Sequence, residues 1–122
     1  MTPTSRTLKH FRDAGWLAEV VERWIPRVNI RRDFAGCIDI ICYGDKGILG
    51  IQATSTANVA ARVAKSLAEP RLVTWLAAGG RFYVIGWALR GPRGGRKRWT
   101  PKCVEISRGE GGQLTTQTVE LT

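Results

Sequence analysis

The chain has 122 residues, 43% hydrophobic and 24% charged, the balance of one soluble α/β-sized domain spanning residues 1–122. Nineteen Lys and Arg against ten Asp and Glu leave a net charge of +9, which favours polyanionic partners, nucleic acid first. No apolar run approaches the roughly 20 residues of a bilayer span, the opening MTPTSRTLKHF holds no apolar signal segment, and no G-x-x-x-x-G-K-[ST], G-x-G-x-x-G or G-x-S-x-G pattern occurs; membrane insertion, a nucleotide cofactor and serine hydrolysis are excluded as readings, and a cytoplasmic location is expected.

Thr4 or Ser5 caps a first helix predicted to reach Ala14, where Gly15 ends it. Residues 16–25, WLAEVVERWI, fit either a helical stripe or a strand between Gly15 and Pro26. Residues 26–35 read as a loop. Its Arg31 and Arg32 suit phosphate oxygens through the guanidinium fork. Asp33 pairs with one of those arginines or, as the minority reading, ligates a metal. Residues 37–43 and 48–54 are apolar runs rich in β-branched side chains, separated by Gly44-Asp45-Lys46-Gly47, and read as a hairpin. Ser55 or Thr56 caps a second helix with Val59, Val63 and Leu67 on one stripe and Arg62 and Lys65 projecting from it. Asn58, near the helix start, suits an anion. Pro70 opens a third helix that Gly79-Gly80 ends.

Residues 81–88 form a strand in which Gly86 marks a bulge or a close contact. Residues 89–98, LRGPRGGRKR, hold five cations and no acid. This basic loop, with Arg93, Arg96, Lys97 and Arg98, suits a phosphate backbone followed without regard to sequence. Trp99 at its end is placed to stack on an unpaired base. Residues 98–106 return as a strand, 108–112 turn, and the Thr-rich 114–121 is an edge strand. The odd number of cysteines, Cys37, Cys42 and Cys103, reads as reduced core thiols.

The hairpin carries the chemistry. With a four-residue turn and no bulge, Tyr43 pairs with Ile48, and counting back sets Asp39 against Gln52, with Thr54 diagonal on the same face. Opposed Cβ atoms lie roughly 4.5–5.5 Å apart, so an acid and an amide oxygen can share one hard cation. Gly36-Cys37-Ile38-Asp39-Ile40-Ile41, a turn, then Gly50-Ile51-Gln52-Ala53-Thr54 resembles the core of the PD-(D/E)XK nuclease superfamily, closest in layout to archaeal Holliday-junction resolvases and VRR-type nucleases.

The resemblance covers about the first 90 residues. It implies a restriction endonuclease-like α/β fold, α-β-β-β-α-(α)-β, with a mixed central sheet flanked by helices, and it makes residues 16–25 a strand. It implies a Mg²⁺- or Mn²⁺-dependent endonuclease acting on DNA, branched or linear, as a homodimer; small basic nucleases of this kind are common in phages and mobile elements. Asp39 matches the lone Asp of the family. Gln52 stands for the second acid and Thr54 for the Lys, both departures, and the Ala53 carbonyl for the middle ligand. Glu22 supplies a further acid or is a surface residue near Arg23. Lys65 or Arg62 replaces the missing cation or belongs to a solvated basic face. The catalytic set is thus Asp39, Gln52, Thr54, Glu22 and Lys65. The alternative is the same fold without catalysis, gripping DNA.

Overall fold

The computed structural model describes residues 1–121. Its order is α1 (Pro3–Asp13), β1 (Leu17–Val20), β2 (Arg23–Ile25), β3 (Ile30–Arg32), β4 (Ile40–Gly44), β5 (Gly47–Ser55), α2 (Val59–Leu67), α3 (Pro70–Ala77), β6 (Arg81–Arg90), β7 (Arg98–Arg108) and β8 (Leu114–Val119). The architecture is α/β: a mixed six-stranded sheet in the order β1-β4-β5-β6-β7-β8, with β2 and β3 forming a separate two-stranded ribbon. Among the described residues β5 and β6 alone pair in parallel. A parallel pair needs a crossover, and α2 with α3 provides it.

The sheet separates two cores. Phe11 of α1 packs with Ile40, Cys42, Leu49, Ile51, Ile85 and Trp87 on one face. Val59 of α2 and Leu72 of α3 pack with Ile38, Phe82, Val84 and Ile106 on the other. β5 lies in the middle and is buried on both faces, which is why it reads as a continuous apolar run. Trp87 Nε1 donates to Thr7 Oγ1 at 2.9 Å, and that hydroxyl donates to the Pro3 carbonyl at 2.8 Å, so α1 is tied to β6 through a satisfied buried polar pair.

Several expectations need correction. The first helix begins two to three residues earlier, because Thr2 is the cap and accepts from the Ser5 N–H at 3.1 Å, with Pro3 at the tolerated first position. Residues 16–25 are not one strand. β1 stops at Val20, paired with β4, and β2 leaves the sheet to pair with β3 inside what the sequence suggested was a loop. The basic connection is shorter than expected, 91–97, because β6 and β7 pair as far as Arg90 and Arg98. Gly86 makes a close contact rather than a bulge: its register with Lys102 is regular, and a Cβ there would run into Val59 and Thr56. The three cysteines are free and buried, and burial pushes their thiols up, Cys37 to about 11 and Cys42 and Cys103 to about 12. No described helix is long and apolar enough to cross a membrane.

Candidate metal centre

Asp39 sits at an irregular point of the hairpin. The turn holds the expected register, with Tyr43 opposite Ile48. Further along, Ile40 is the partner of Ile51, yet the Asp39 N–H also donates to the Ile51 carbonyl at 3.0 Å. Two residues opposing one is a β-bulge, a device that re-aims a side chain. The strict Asp39-to-Gln52 pairing of an unbulged hairpin is therefore off by one residue. The side chains still meet, because the glutamine arm spans the offset: Gln52 Nε2 donates to Asp39 Oδ2 at 2.9 Å. The Ala53 N–H donates to both Asp39 oxygens, at 3.2 and 3.3 Å. Asp39 is 4% and Gln52 2% exposed.

Two further acids reach the same point by different routes. The Val21 N–H donates to the Asp39 carbonyl at 2.9 Å, which holds the chain leaving β1 against Asp39 and brings up Glu22. On the other side Phe34 and Ile38 exchange backbone hydrogen bonds, at 2.7 and 2.9 Å, closing a tight loop that presents Asp33. Ala35 at φ 52° is held there in a left-handed conformation that costs a non-glycine residue, and such strain concentrates at functional sites. Carboxylate oxygens of Glu22, Asp33 and Asp39 all lie within 4.8 Å of one another. Asp33 thereby leaves the arginine pairing favoured by the sequence: among the described residues its ion pair is with Lys65, whose Nζ lies 3.6 Å from Oδ2. Glu22 Oε1 accepts from Arg31 Nη1 at 3.0 Å.

The electrostatics ask for a cation. Burial pushes the Asp39 carboxyl up to about 7; the charges of Asp33 and Glu22 push the same way, while the Ala53 N–H and the Gln52 amide oppose them. Two side-chain cations face three acids. Gln52 Oε1 is buried without a hydrogen-bond partner among the described residues, a state that buried acceptors rarely keep. Three carboxylates form a hard donor set, which suits Mg²⁺ or Mn²⁺ rather than a soft metal.

The remaining expected residues divide. Lys65, from α2, reaches the acid cluster. Thr54 is 5% exposed and paired with Gly86, and brings no charge. Ala53 touches Asp39 through its N–H. Arg62 lies half-buried on α2 with no ion pair among the described residues. Asn58 precedes α2 and donates to Ser55 Oγ at 3.1 Å. Arg31 and Arg32 belong to the ribbon, and with Asp33, Lys65, Glu69 and Arg71 line a polar cleft of about 450 Å³. Arg93, Arg96 and Lys97 are exposed in the connection, with Arg98 starting β7. Trp99 is 48% exposed, and the Arg6 guanidinium lies 3.6 Å over its ring. Sequence reasoning missed Arg23 and Arg71; the Arg-rich spacing of RWIPRVNIRR was the available signal for the first.

The chain matches no protein-family model, no curated protein and no solved structure.

Proposed function

We propose that this chain is a metal-dependent phosphodiesterase that cuts the DNA backbone, an endonuclease built on a restriction endonuclease-like core. The observation that carries the reading is the meeting of Glu22, Asp33 and Asp39 within 4.8 Å beside the orphaned Gln52 amide oxygen. The antiparallel run β1-β4-β5, the helical crossover and the parallel strand β6 support the core. A bound Mg²⁺ or Mn²⁺ supplies charge stabilisation at the scissile phosphate and a water of lowered pKa. Asp39, Glu22 and Asp33 would hold it, and Gln52 Oε1, unpartnered among the described residues, would be free to join them. Lys65 brings to the cluster the ammonium that Thr54 lacks, from where it would orient a water beside a bound metal. The basic segments hold the phosphate backbone.

The test is cleavage of labelled linear, flapped and four-way-junction DNA in Mg²⁺ or Mn²⁺, beside Asp39→Ala and Lys65→Ala. Loss of cleavage in Asp39→Ala by at least about 100-fold is expected, the upper scale at which even outer partners of a metal act. Cleavage that survives in Asp39→Ala rejects the reading. The neutral residues at 52 and 54 favour a second reading, a DNA-binding module without catalysis, whose signature is salt-dependent binding and no cleavage in either metal.

A further inference from the structure

The β2–β3 ribbon is the feature that the proposed site does not absorb. Residues 23–32, RWIPRVNIRR, hold four Arg and no acid. Arg23 is the register partner of Arg32, so two guanidinium groups stand directly opposed on one face of the ribbon. Like charges in that position destabilise a strand pair. Among the described residues neither has an ion pair, and nor does Arg27 at the turn; Arg31 is the one ribbon cation that does, with Glu22. Arg23 and Arg32 line a cleft of about 230 Å³ with Val21, Phe34 and Asp33, and Asp33 is engaged by Lys65. Trp24, Val28 and Ile30 are 49%, 59% and 44% exposed, so the ribbon projects instead of packing on a core.

The position of the ribbon follows from the topology. β1 ends and β4 begins at one end of the sheet, with Val20 opposite Ile40 and Ile40 opposite Ile51. β5 and β6 run in parallel and finish at that same end, where Ser55 faces Trp87, so the basic connection 91–97 also projects there. The ribbon, attached at Glu22 and Asp33, and the 91–97 segment therefore bracket the acid cluster. Their attachment strands lie two to four spacings apart across the sheet, about 10–19 Å at roughly 4.8 Å each, and β6 runs on from Tyr83, level with Ile51 and Ile40, to Arg90, which adds roughly 23 Å along the strands at about 3.3 Å per residue. Together these exceed the roughly 12 Å width of the major groove of B-DNA. Two arms so spaced meet phosphates on both sides of a groove, which a single strand does not offer.

We propose that the β2–β3 ribbon and the 91–97 segment are a pair of basic arms that straddle a groove of double-stranded DNA, with Arg23, Arg27 and Arg32 contacting phosphates on one side and Arg93 and Arg96 on the other. This deepens the nuclease reading and rests on it for the choice of polyanion. Phosphates between Arg23 and Arg32 relieve the like-charge pair, so the ribbon is poised for an anion in the free protein.

The experiment measures binding of a short labelled duplex, and of the single strand of the same sequence, in EDTA across a salt series. Arg23→Ala/Arg32→Ala, Arg93→Ala/Arg96→Ala and the tip variant Arg27→Ala are compared with Lys46→Ala/Arg108→Ala, which removes the same charge at the opposite end of the sheet. Each arm pair is expected to lower the slope of log K against log salt by about 1.8, and Arg27→Ala by about 0.9, at about 0.9 per phosphate contact. The opposite-end pair leaves the slope unchanged, and the preference for duplex over single strand falls in both arm variants. Removing the like-charge pair leaves the melting temperature equal or higher, so a loss of binding cannot be assigned to unfolding. Ribbon variants that bind as the parent does, or equal losses in all three pairs, overturn the proposal. A protein that shows the arm-dependent slopes but never cleaves rejects hydrolysis and keeps the arms; one that cleaves with slopes unchanged in the ribbon variants rejects the arms and keeps hydrolysis.

Discussion

Asp39 and Glu69 stand on either side of the tight loop 33–38, and the protein treats the two acids in opposite ways. Glu69 receives a guanidinium fork: Arg71 Nη2 donates to Oε1 at 2.8 Å, and Arg71 Nε and backbone N–H donate to Oε2 at 3.1 and 3.0 Å. The hydrogen bonds from Arg71 hold its carboxyl down, at about 2. Among the described residues Asp39 receives neutral donors and two neighbouring carboxylates, and burial pushes it up to about 7. The difference teaches that the shortage of positive charge at Asp39 is local. A few residues away the same chain pairs an acid with a guanidinium fork, whereas the Glu22, Asp33 and Asp39 cluster could hold a metal.

The largest expected effect comes from pH with the metal chelated. The folded state holds the Asp39 proton up to about 7, while the unfolded chain releases it near 3.8, so between those values the folded state binds more protons and stability falls as pH rises. The size is as much as about 4 kcal/mol, at about 1.4 kcal/mol per pKa unit. Denaturant titrations at pH 5 and pH 8 in EDTA capture the part of it that falls above pH 5, about 2.7 kcal/mol for roughly two pKa units, and Asp39→Asn flattens the difference; an equal slope in both proteins breaks the contrast.

Next in size is the cation itself. Mg²⁺ or Mn²⁺ at about 100 times its Kd stabilises the fold by about 2.7 kcal/mol. Binding displaces the Asp39 proton, so the shift in melting temperature grows from pH 6 to pH 8. Asp39→Asn abolishes it and Glu69→Gln leaves it intact; the reverse pattern would place the cation beside Arg71.

Gly36 supports the satisfied side. It adopts φ 77°, and a Cβ there would run into the Glu69 and Arg71 side chains. Gly36→Ala is expected to cost about 1–2 kcal/mol from the left-handed backbone alone, and to displace the ion pair. Thermal melting checks the first, and recovery in Gly36→Ala/Glu69→Ala of only the loss that exceeds that backbone cost checks the second. The smallest effect is that of Glu69→Gln: exposed ion pairs contribute little. Its loss in melting temperature lies near measurement error at pH 7 and vanishes as pH falls below about 4.5 toward 2, where the folded-state carboxyl also becomes protonated.

Local residues made the hairpin legible. A Gly-Asp-Lys-Gly break between β-branched runs sets the turn, and a period of two then carries the register from Tyr43–Ile48 to Ile40–Ile51. Pro70 and Gly79 bounded α3 for equally local reasons. The same counting failed at Asp39, because a bulge costs no recognisable residue. It failed again at 16–25, where four residues join β4 and three join β3. Strands that short carry too little periodicity to announce a break.

An α/β pattern, a strong positive charge, the β4–β5 hairpin and the candidacy of Asp39 are all readable from the chain before it folds. Those follow from composition and from neighbours within a few residues. Only the tertiary structure decided that Glu22 and Asp33, 11 residues apart in sequence, meet Asp39, that Lys65 reaches them from α2, and that both basic arms leave one end of the sheet. Those depend on where strands distant in the chain pair, and side-chain type carries no record of that until the sheet closes.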